Sequence, residues 1–481
     1  MTPLRSRTES WSHQLRGYSF LDEHNGGILS IHMGGGKSKV SVDYVVSHEL
    51  SPVLIMAPPS VVAVWSNQFR QHAASNYQVL ALGGDAHKRV SVKKRTLEAE
   101  RFVRNMRSQR QPCAVVINHE GCWREPFARF ALEGGKFQCA ILDESHRAQD
   151  HGGALGNFVM EMAKWIPHRI ALTGTPMPRH ELNVFSQARF THPEVFGTRY
   201  TPVQTRYAQT GGWQGKGTIT IKPDMRTEFI EKCNRVLFVV SKEELDLSLP
   251  EETHSQRLCT LAPQFRARYE ELRRDYYTEL ADEIAQGTIT VKNAGVKLLR
   301  LHQFTSGHVR LDDSDTVQDY SDHKERALME LLEDVNERTT VFARFTHDLK
   351  IISRVTEKLG LRYGEISGKR KDLGPNATYP ENVDVLGVQI ASGGLGIDLT
   401  RSSLAVYFSV DFSVINYLQS QARLCRPGQR RPVRYVHIVT EDTIDEMIYA
   451  ALADRQDVIE AFLNDIRERQ PVREEGRAVM L

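Results

Sequence analysis

The stretch IHMGGGKSK, residues 31–39, decides how this chain is read. It follows the phosphate-loop pattern G-x-x-x-x-G-K-[ST], except that Ile31 stands where the pattern has its first glycine. Upstream, GGILSI (26–31) is a short apolar run bounded by glycines, the signature of a buried strand. Downstream, KVSVDYVVSHEL (39–50) places Val42, Val45, Val46 and Leu50 at helical spacing, against the reluctance of β-branched residues. Strand, glycine turn and helix form the context in which such a loop binds phosphate. Gly34, Gly35 and Gly36 would present backbone N–H groups with no Cβ in the way. Lys37 would reach the outer phosphates, Ser38 would hold Mg²⁺, and the helix N-terminus would favour the negative charge. A glycine-rich turn beside a surface lysine fits these nine residues too, so the rest of the chain has to choose.

A chain of 481 residues has room for two or three domains with proper cores. Its 40% hydrophobic and 25% charged residues are those of a globular protein. A net charge of +2 neither demands nor forbids nucleic acid, because binding needs local basic patches. No apolar run approaches the roughly 20 residues of a membrane span, and the N-terminus lacks the apolar core of a signal peptide. The six cysteines form no C-x-x-C pair, which argues against zinc ribbons and a disulfide framework. The expected compartment is therefore cytosol, bacterial or that of an infected host, with no secretion and no membrane partner.

PVLIMAP (52–58), CAVVINH (113–119), FQCAILDE (137–144) and HRIALTGTP (168–176) are apolar runs ending in polar or turn residues, with helical stretches between them. The expectation is a mainly parallel α/β sheet. From about residue 200 to 320 the pattern turns to polar helices such as APQFRARYEELRRDYYTELADEIAQ (262–286), apart from a short hairpin around GTITIKP (217–223). Alternation resumes with TTVFARF, LRYGEI, VDVLGVQIA, SLAVYFSV and VRYVHIV. The expected division is a first lobe over 1–200, a helical insert over 201–322, a second lobe over 323–450, and a C-terminal helix and tail over 451–481.

LDESH closes the third of those strands. Asp143 and Glu144 at the end of a buried strand are costly unless they hold a metal or do chemistry. Asp143 would take Mg²⁺, and Glu144 would act as the base on an attacking water, as phosphoryl transfer requires. With a phosphate loop on a neighbouring predicted strand, a mere helix cap becomes the weaker reading.

In order along the chain, MGGGKS, LIMAPPSVVAVWSNQF, LDESH and LTGTPMPRHELNVFSQARFTHPEVFG, then VFARFT, IASGGLGIDLT and QSQARLCRPGQ, resemble the motifs of Snf/Swi-type DNA translocases of helicase superfamily two. The resemblance runs from about residue 11 to 455. It implies two RecA-like lobes that use ATP and Mg²⁺, and a phosphate loop of the form M-G-x-G-K-[ST], without the first glycine. It further implies that Gln14 reads the adenine edge, and that Thr173 and Thr175 couple hydrolysis to lobe movement. Gly396 and Asp398 would line the interlobe cleft, and Arg423 and Arg426 would reach the phosphates. Arginine suits that task because its planar fork stays charged and bridges two oxygens; a basic helix face explains the i, i+3 spacing equally well.

The chain also departs from the family. Ile31 and His32 replace acidic residues, Gln149 and Asp150 replace a lysine and an asparagine, and LFVVSKEEL (237–245) stands where an arginine-rich segment is usual. With no protrusions or reader domains, the resemblance is to a compact viral or bacterial kind. For nucleic acid, HKRVSVKKRTLEAERFVRNMRSQRQ (87–111) is the most basic stretch. Leu97, Phe102, Val103 and Met106 would pack inward, and Lys93, Lys94, Arg101, Arg104 and Arg107 outward, as a solvated face or a phosphate-binding one. Trp213 and Lys216 offer a stacking pair in a glycine loop.

These readings converge on a DNA-dependent ATPase moving on duplex or branched DNA, serving recombination, repair or replication proteins. The alternatives are a strand-separating DNA or RNA helicase, and a nucleic-acid-binding scaffold with a vestigial ATPase.

Overall fold

Residues 26–31, 53–57, 113–118 and 139–143 are almost entirely buried along their whole length, as strands covered on both faces must be. In the computed structural model, which describes residues 2–83, 87, 90–210, 219–245, 249–285, 291–310, 317–392 and 396–454, they belong to one parallel sheet. Its strands are β1 (Gly26–Ile31), β2 (Val53–Ala57), β3 (Gln78–Leu82), β4 (Cys113–Asn118), β5 (Cys139–Asp143), β6 (His168–Thr173) and β9 (Leu237–Val240), in the order β3-β4-β2-β5-β6-β1-β9. A short antiparallel hairpin, β7 (Ala208–Thr210) with β8 (Ile219–Ile221), falls where GTITIKP suggested one.

The second sheet is also parallel: β10 (Glu252–Cys259), β13 (Thr339–Ala343), β14 (Tyr363–Ile366), β15 (Val385–Gln389), β16 (Leu404–Tyr407) and β17 (Val433–Thr440), in the order β10-β17-β16-β13-β15-β14. A separate pair joins β11 (His308–Arg310) to β12 (Val317–Asp319). The α/β class and the two parallel-sheet lobes are as expected.

The boundaries differ. Among the described residues, the chain divides into one unit up to about residue 247 and another from about 248 onward. The stretch 201–322 is therefore not one helical insert. LFVVSKEEL supplies β9, an edge strand beside β1, and residues 252–259 supply β10 of the second sheet. The expected long helix is present as Pro263–Ala285, followed by Val291–Thr305. Both belong to the second unit, which they join through buried polar contacts: Ile444 N donates to Tyr269 Oη at 2.8 Å, and Thr305 Oγ1 to Asp445 Oδ1 at 2.6 Å. Of the C-terminal helix and tail, residues 455–481 lie outside the described residues.

Among the helices that flank the first sheet are α1 (Ser12–His24), α2 (Lys37–Ser47), α3 (Val64–His72) and α4 (Val92–Ser108). In α2, Val40, Val42, Val45 and Val46 are all buried. Their packing outweighs the few tenths of a kcal/mol per residue by which valine disfavours a helix. No helix among the described residues is long and apolar enough to cross a membrane, and none of the six cysteines is in a disulfide.

Candidate active site

Strands β5, β6 and β1 lie side by side, and open parallel sheets bind ligands beyond the C-terminal ends of their strands. The sequence suggested that the strands of the phosphate loop and of LDESH are neighbours. In fact β6 lies between them, so the end of LTGTP enters the same place.

The loop after β1 is shaped by glycine. Gly34 and Gly36 have φ of 88° and 79°, a left-handed backbone that side-chain-bearing residues avoid. A Cβ on Gly35 would come within 2.5 Å of Ile31 Cγ2, and one on Gly36 within 2.2 Å of Gln14 Nε2. Helix α2 begins at Lys37, so the N–H groups of its first turn are directed toward the loop. Lys37 Nζ donates to Ile31 O at 2.8 Å, which folds the ammonium back over the loop. Ile31 itself is the fully buried last residue of β1. Ser38 sits half-buried in the first turn of α2.

Gln14, on α1, is buried and bound to the loop. Its Nε2 donates to Gly35 O at 3.2 Å, and its Oε1 accepts from Trp11 N at 3.1 Å. His13 Nε2 lies 2.9 Å from the same carbonyl and must carry a proton there. The assigned adenine contact does not foretell this link, because α1 meets the loop only in three dimensions.

Asp143 and Glu144 occupy the end of β5. Asp143 is buried. Trp65 Nε1 donates to its Oδ2 at 3.1 Å and Glu144 N to its Oδ1 at 3.0 Å. Burial, and then the Glu144 carboxylate, push its pKa up, with Lys37 opposing. Its position thus disfavours its own charge unless a cation comes near. Glu144 has φ 49° and ψ 51°, left-handed for a residue with a side chain, and its Oε2 lies 3.3 Å from His146 Nδ1. His146 also meets Thr173 Oγ1 at 3.3 Å, and Thr173 Oγ1 accepts from Thr175 N at 3.0 Å. The TGT turn and the DE turn are therefore joined through one histidine. His119, at the end of β4, is also buried, and its Nε2 donates to Asp143 O at 2.9 Å. Burial drives its pKa down to about 4, so the ring is neutral at physiological pH.

The chain's own groups fit ATP with Mg²⁺. The cradle tolerates only glycine, a lysine lies across it, and one carboxylate waits in a place that a cation would improve. No cluster of three or more His, Cys, Asp or Glu among the described residues could hold a metal. Mg²⁺ suits this arrangement, because it is usually held by one or two protein ligands plus phosphate oxygens and water.

In the second unit the structure gathers Gly396, Asp398, Arg423 and Arg426. Leu399 N donates to Arg423 O at 3.0 Å, and Arg426 Nη1 to Ile397 O at 3.3 Å. Both arginines lie in turns after the helix Val414–Gln421, not on a helical face. Asp398 serves its own loop: its Oδ1 accepts from Thr400 N at 2.9 Å and Thr400 Oγ1 at 2.7 Å.

The basic stretch forms α4. Its buried residues are Thr96, Ala99, Val103 and Met106, with Phe102 partly buried against the core. Lys93, Lys94, Arg101, Arg104 and Arg107 are exposed, as expected. Leu97 is not inward: it is 45% exposed among the cations, because residue 96 rather than 97 faces the sheet. Trp213 and Lys216 lie outside the described residues.

Comparison with known proteins shows the family. The SNF2-related domain matches residues 11–307, and the helicase conserved C-terminal domain matches 323–428. The zebrafish (Danio rerio) protein "Chromodomain-helicase-DNA-binding protein 1-like" is 23% identical, over 98% of this chain and 44% of that one. "Transcription regulatory protein SNF2" of Saccharomyces cerevisiae is 21% identical, over 92% of this chain and 26% of that one. The chain thus spans less than half the length of either relative. Among solved structures, the Sulfolobus solfataricus SWI2/SNF2 ATPase core in complex with dsDNA covers 98% of this chain and 95% of its own, at 20% identity and a TM-score of 0.43.

Proposed function

The chain belongs to the SNF2-related family, and on that premise we propose that it is a DNA-dependent ATPase that couples hydrolysis to movement along duplex DNA. One observation carries the reading: the glycine cradle, Lys37, Asp143 and Glu144 meet at the ends of β1 and β5, with the TGT turn of β6 between them.

The phosphates of ATP lie in the cradle of Gly34, Gly35 and Gly36, with Lys37 neutralising their charge. Ser38 and Asp143 would hold Mg²⁺, which when bound would supply charge neutralisation on the phosphates. Glu144 takes a proton from the attacking water. Its left-handed backbone sends the side chain away from the strand, toward His146 and the TGT turn. Gln14 holds the loop and offers its amide to the base. Arg423 and Arg426 act on the charge that develops during transfer, work for which a positioned arginine is suited. DNA as partner is supported by the family and by a relative named as DNA-binding. Contacts with a duplex would go mainly to phosphate and sugar, giving little base specificity and strong salt dependence.

ATP turnover without nucleic acid and with single-stranded DNA, duplex DNA, branched DNA or RNA tests the reading. Stimulation by duplex DNA is expected; stimulation by RNA alone, or by nothing, rejects it. Translocation is separated from unwinding by two assays at one ATP concentration, displacement of a triplex third strand and release of a strand from a tailed duplex. Triplex displacement without strand release is expected. Efficient strand release over tens of base pairs would make the protein a helicase.

A further inference from the structure

We propose that His119 is a positioning residue that fixes the direction of Glu144 by holding the peptide before it; this rests on the reading that Glu144 is the base of ATP hydrolysis. Glu144 is left-handed, a conformation that costs a residue with a Cβ roughly 1–2 kcal/mol and persists only where the surroundings impose it. Two bonds fix the acid side of the preceding residue: Trp65 Nε1 to Asp143 Oδ2, and Glu144 N to Asp143 Oδ1. The second of these holds the N–H edge of the Asp143–Glu144 peptide, whose rotation would swing Glu144. His119 holds the opposite, carbonyl edge of the same peptide plane, so the two bonds together fix its orientation.

The strand order makes this contact specific. β2 lies between β4 and β5, and its pairing with β5 stops at Met56 with Leu142, one residue before Asp143. The β4–β2 pairing ends at Asn118 with Ala57. His119, the next residue after β4, therefore reaches over the end of β2 to Asp143 O at 2.9 Å. Since a carbonyl only accepts, Nε2 carries the proton and Nδ1 does not. Nδ1 is buried and meets no hydrogen-bond partner among the described residues. The Nε2 bond is thus the ring's polar link in a site where it is 3% exposed. A residue present only to fill space would be better served by leucine, which leaves no buried nitrogen unpaired.

The test uses the full chain with duplex DNA, measuring kcat and KM for ATP, equilibrium binding of a fluorescent ATP analogue, and thermal melting. His119→Leu keeps the volume and removes the donor; His119→Gln places an amide N–H at similar reach; His119→Asn holds it one methylene short. Leu and Asn are expected to lower kcat by about 10- to 100-fold, the scale for lost outer-shell support of a metal site. KM and analogue affinity stay at wild-type values, and Gln recovers most of the turnover. Wild-type kcat in the Leu variant overturns the proposal. If the Leu variant does not fold, equal turnover in Gln and Asn overturns it instead. Glu144→Gln serves as the control. If it is inactive while the His119 variants turn over normally, only the role of His119 fails. If it hydrolyses ATP at the wild-type rate, the role of Glu144 as base fails first.

Discussion

In the first lobe the candidate residues leave the ends of β1 and β5, on either side of β6, through left-handed turns at Gly34, Gly36 and Glu144. In the second they follow a helix, and loop contacts gather them: Arg423 through its own carbonyl, Arg426 through Ile397 O, while Asp398 folds its carboxylate onto Thr400. On the proposed reading, the backbone of the glycine cradle would be the binding surface for phosphate, so shape governs there. In the second lobe the backbone would only present charged ends, so side-chain chemistry governs. The cradle should accordingly control nucleotide affinity, and the second-lobe arginines, like Glu144, should control turnover.

The largest effect tests that division directly. Arg423→Ala or Arg426→Ala is expected to lower turnover by ~10³ to 10⁵, about 4–7 kcal/mol of transition-state stabilisation, with little change in ATP affinity. Steady-state rates at saturating ATP, alongside equilibrium binding, check it. An arginine whose loss weakens only affinity would belong with the cradle, and the contrast between the lobes would collapse.

A second effect concerns the buried polar core of the second unit. Lys324 Nζ and Asp445 Oδ2 form a buried ion pair at 2.6 Å, and Asp445 also accepts from Thr305 and from Thr440 N. Asp445→Ala strands a buried ammonium and should cost about 3–5 kcal/mol. Hydrogen exchange should show the loss in the second unit, with the first unit protected as before. Equal loss of protection in both would mean that the two fold as one.

Gly36→Ala sharpens the other side of the contrast. The added Cβ must displace Gln14 Nε2 and adopt φ of 79°, a strain of about 1–3 kcal/mol. Nucleotide affinity should fall by roughly tenfold or more, while DNA binding without nucleotide is unchanged. A variant with normal affinity and slow turnover would show that shape in the first lobe serves chemistry rather than binding.

The smallest effect per unit change is with acid. Burial lowers the pKa of His72 in the first lobe to about 4, and of His302, His323 and His437 in the second to about 3, 4 and 3. The unfolded chain therefore takes up these protons first. Stability is lost as pH falls from about 6.5 toward those values, at about 1.4 kcal/mol per pH unit for each histidine. Asp445 runs the other way. Burial opposes its charge, but Lys324 and its other partners outweigh that and hold it at about 2. Its contribution is complete above pH about 4 and is lost below it. Melting from pH 7 to 3 should fall in both lobes, with a further loss below pH 4 confined to the second. A flat profile would mean that the histidines are reached by water.

Much of the candidate site is legible in the chain, because its chemistry is local. Gly34 to Ser38 are consecutive, Asp143 and Glu144 are adjacent at the end of an apolar run, and the interior strands are short runs rich in Val, Ile and Leu. Edge elements are less legible. QVLAL (78–82) is only partly buried, and LFVV (237–240) reads as part of a linker, though it closes the sheet beside β1. The partners that fix the site are least legible of all. Trp65 and His119 lie 78 and 24 residues from Asp143, on different elements. A histidine directly after a strand in VVINHEG was the one available signal.

The sequence by itself determined the two-lobe α/β class and singled out the candidate reacting groups, since periodicity and short motifs depend on neighbours a few residues apart. Only the tertiary structure decided that β6 separates the two halves of the first-lobe site, that 201–322 is shared between the lobes, and that His13 and Gln14 grip the phosphate loop from a helix before it. It also decided that Leu97 faces out and that Arg423 and Arg426 sit in turns. The physical reason is common to all of these. Strand order, helix rotation and hydrogen bonds to a distant backbone carbonyl are fixed when apolar faces are buried together, and no window along the chain contains both partners.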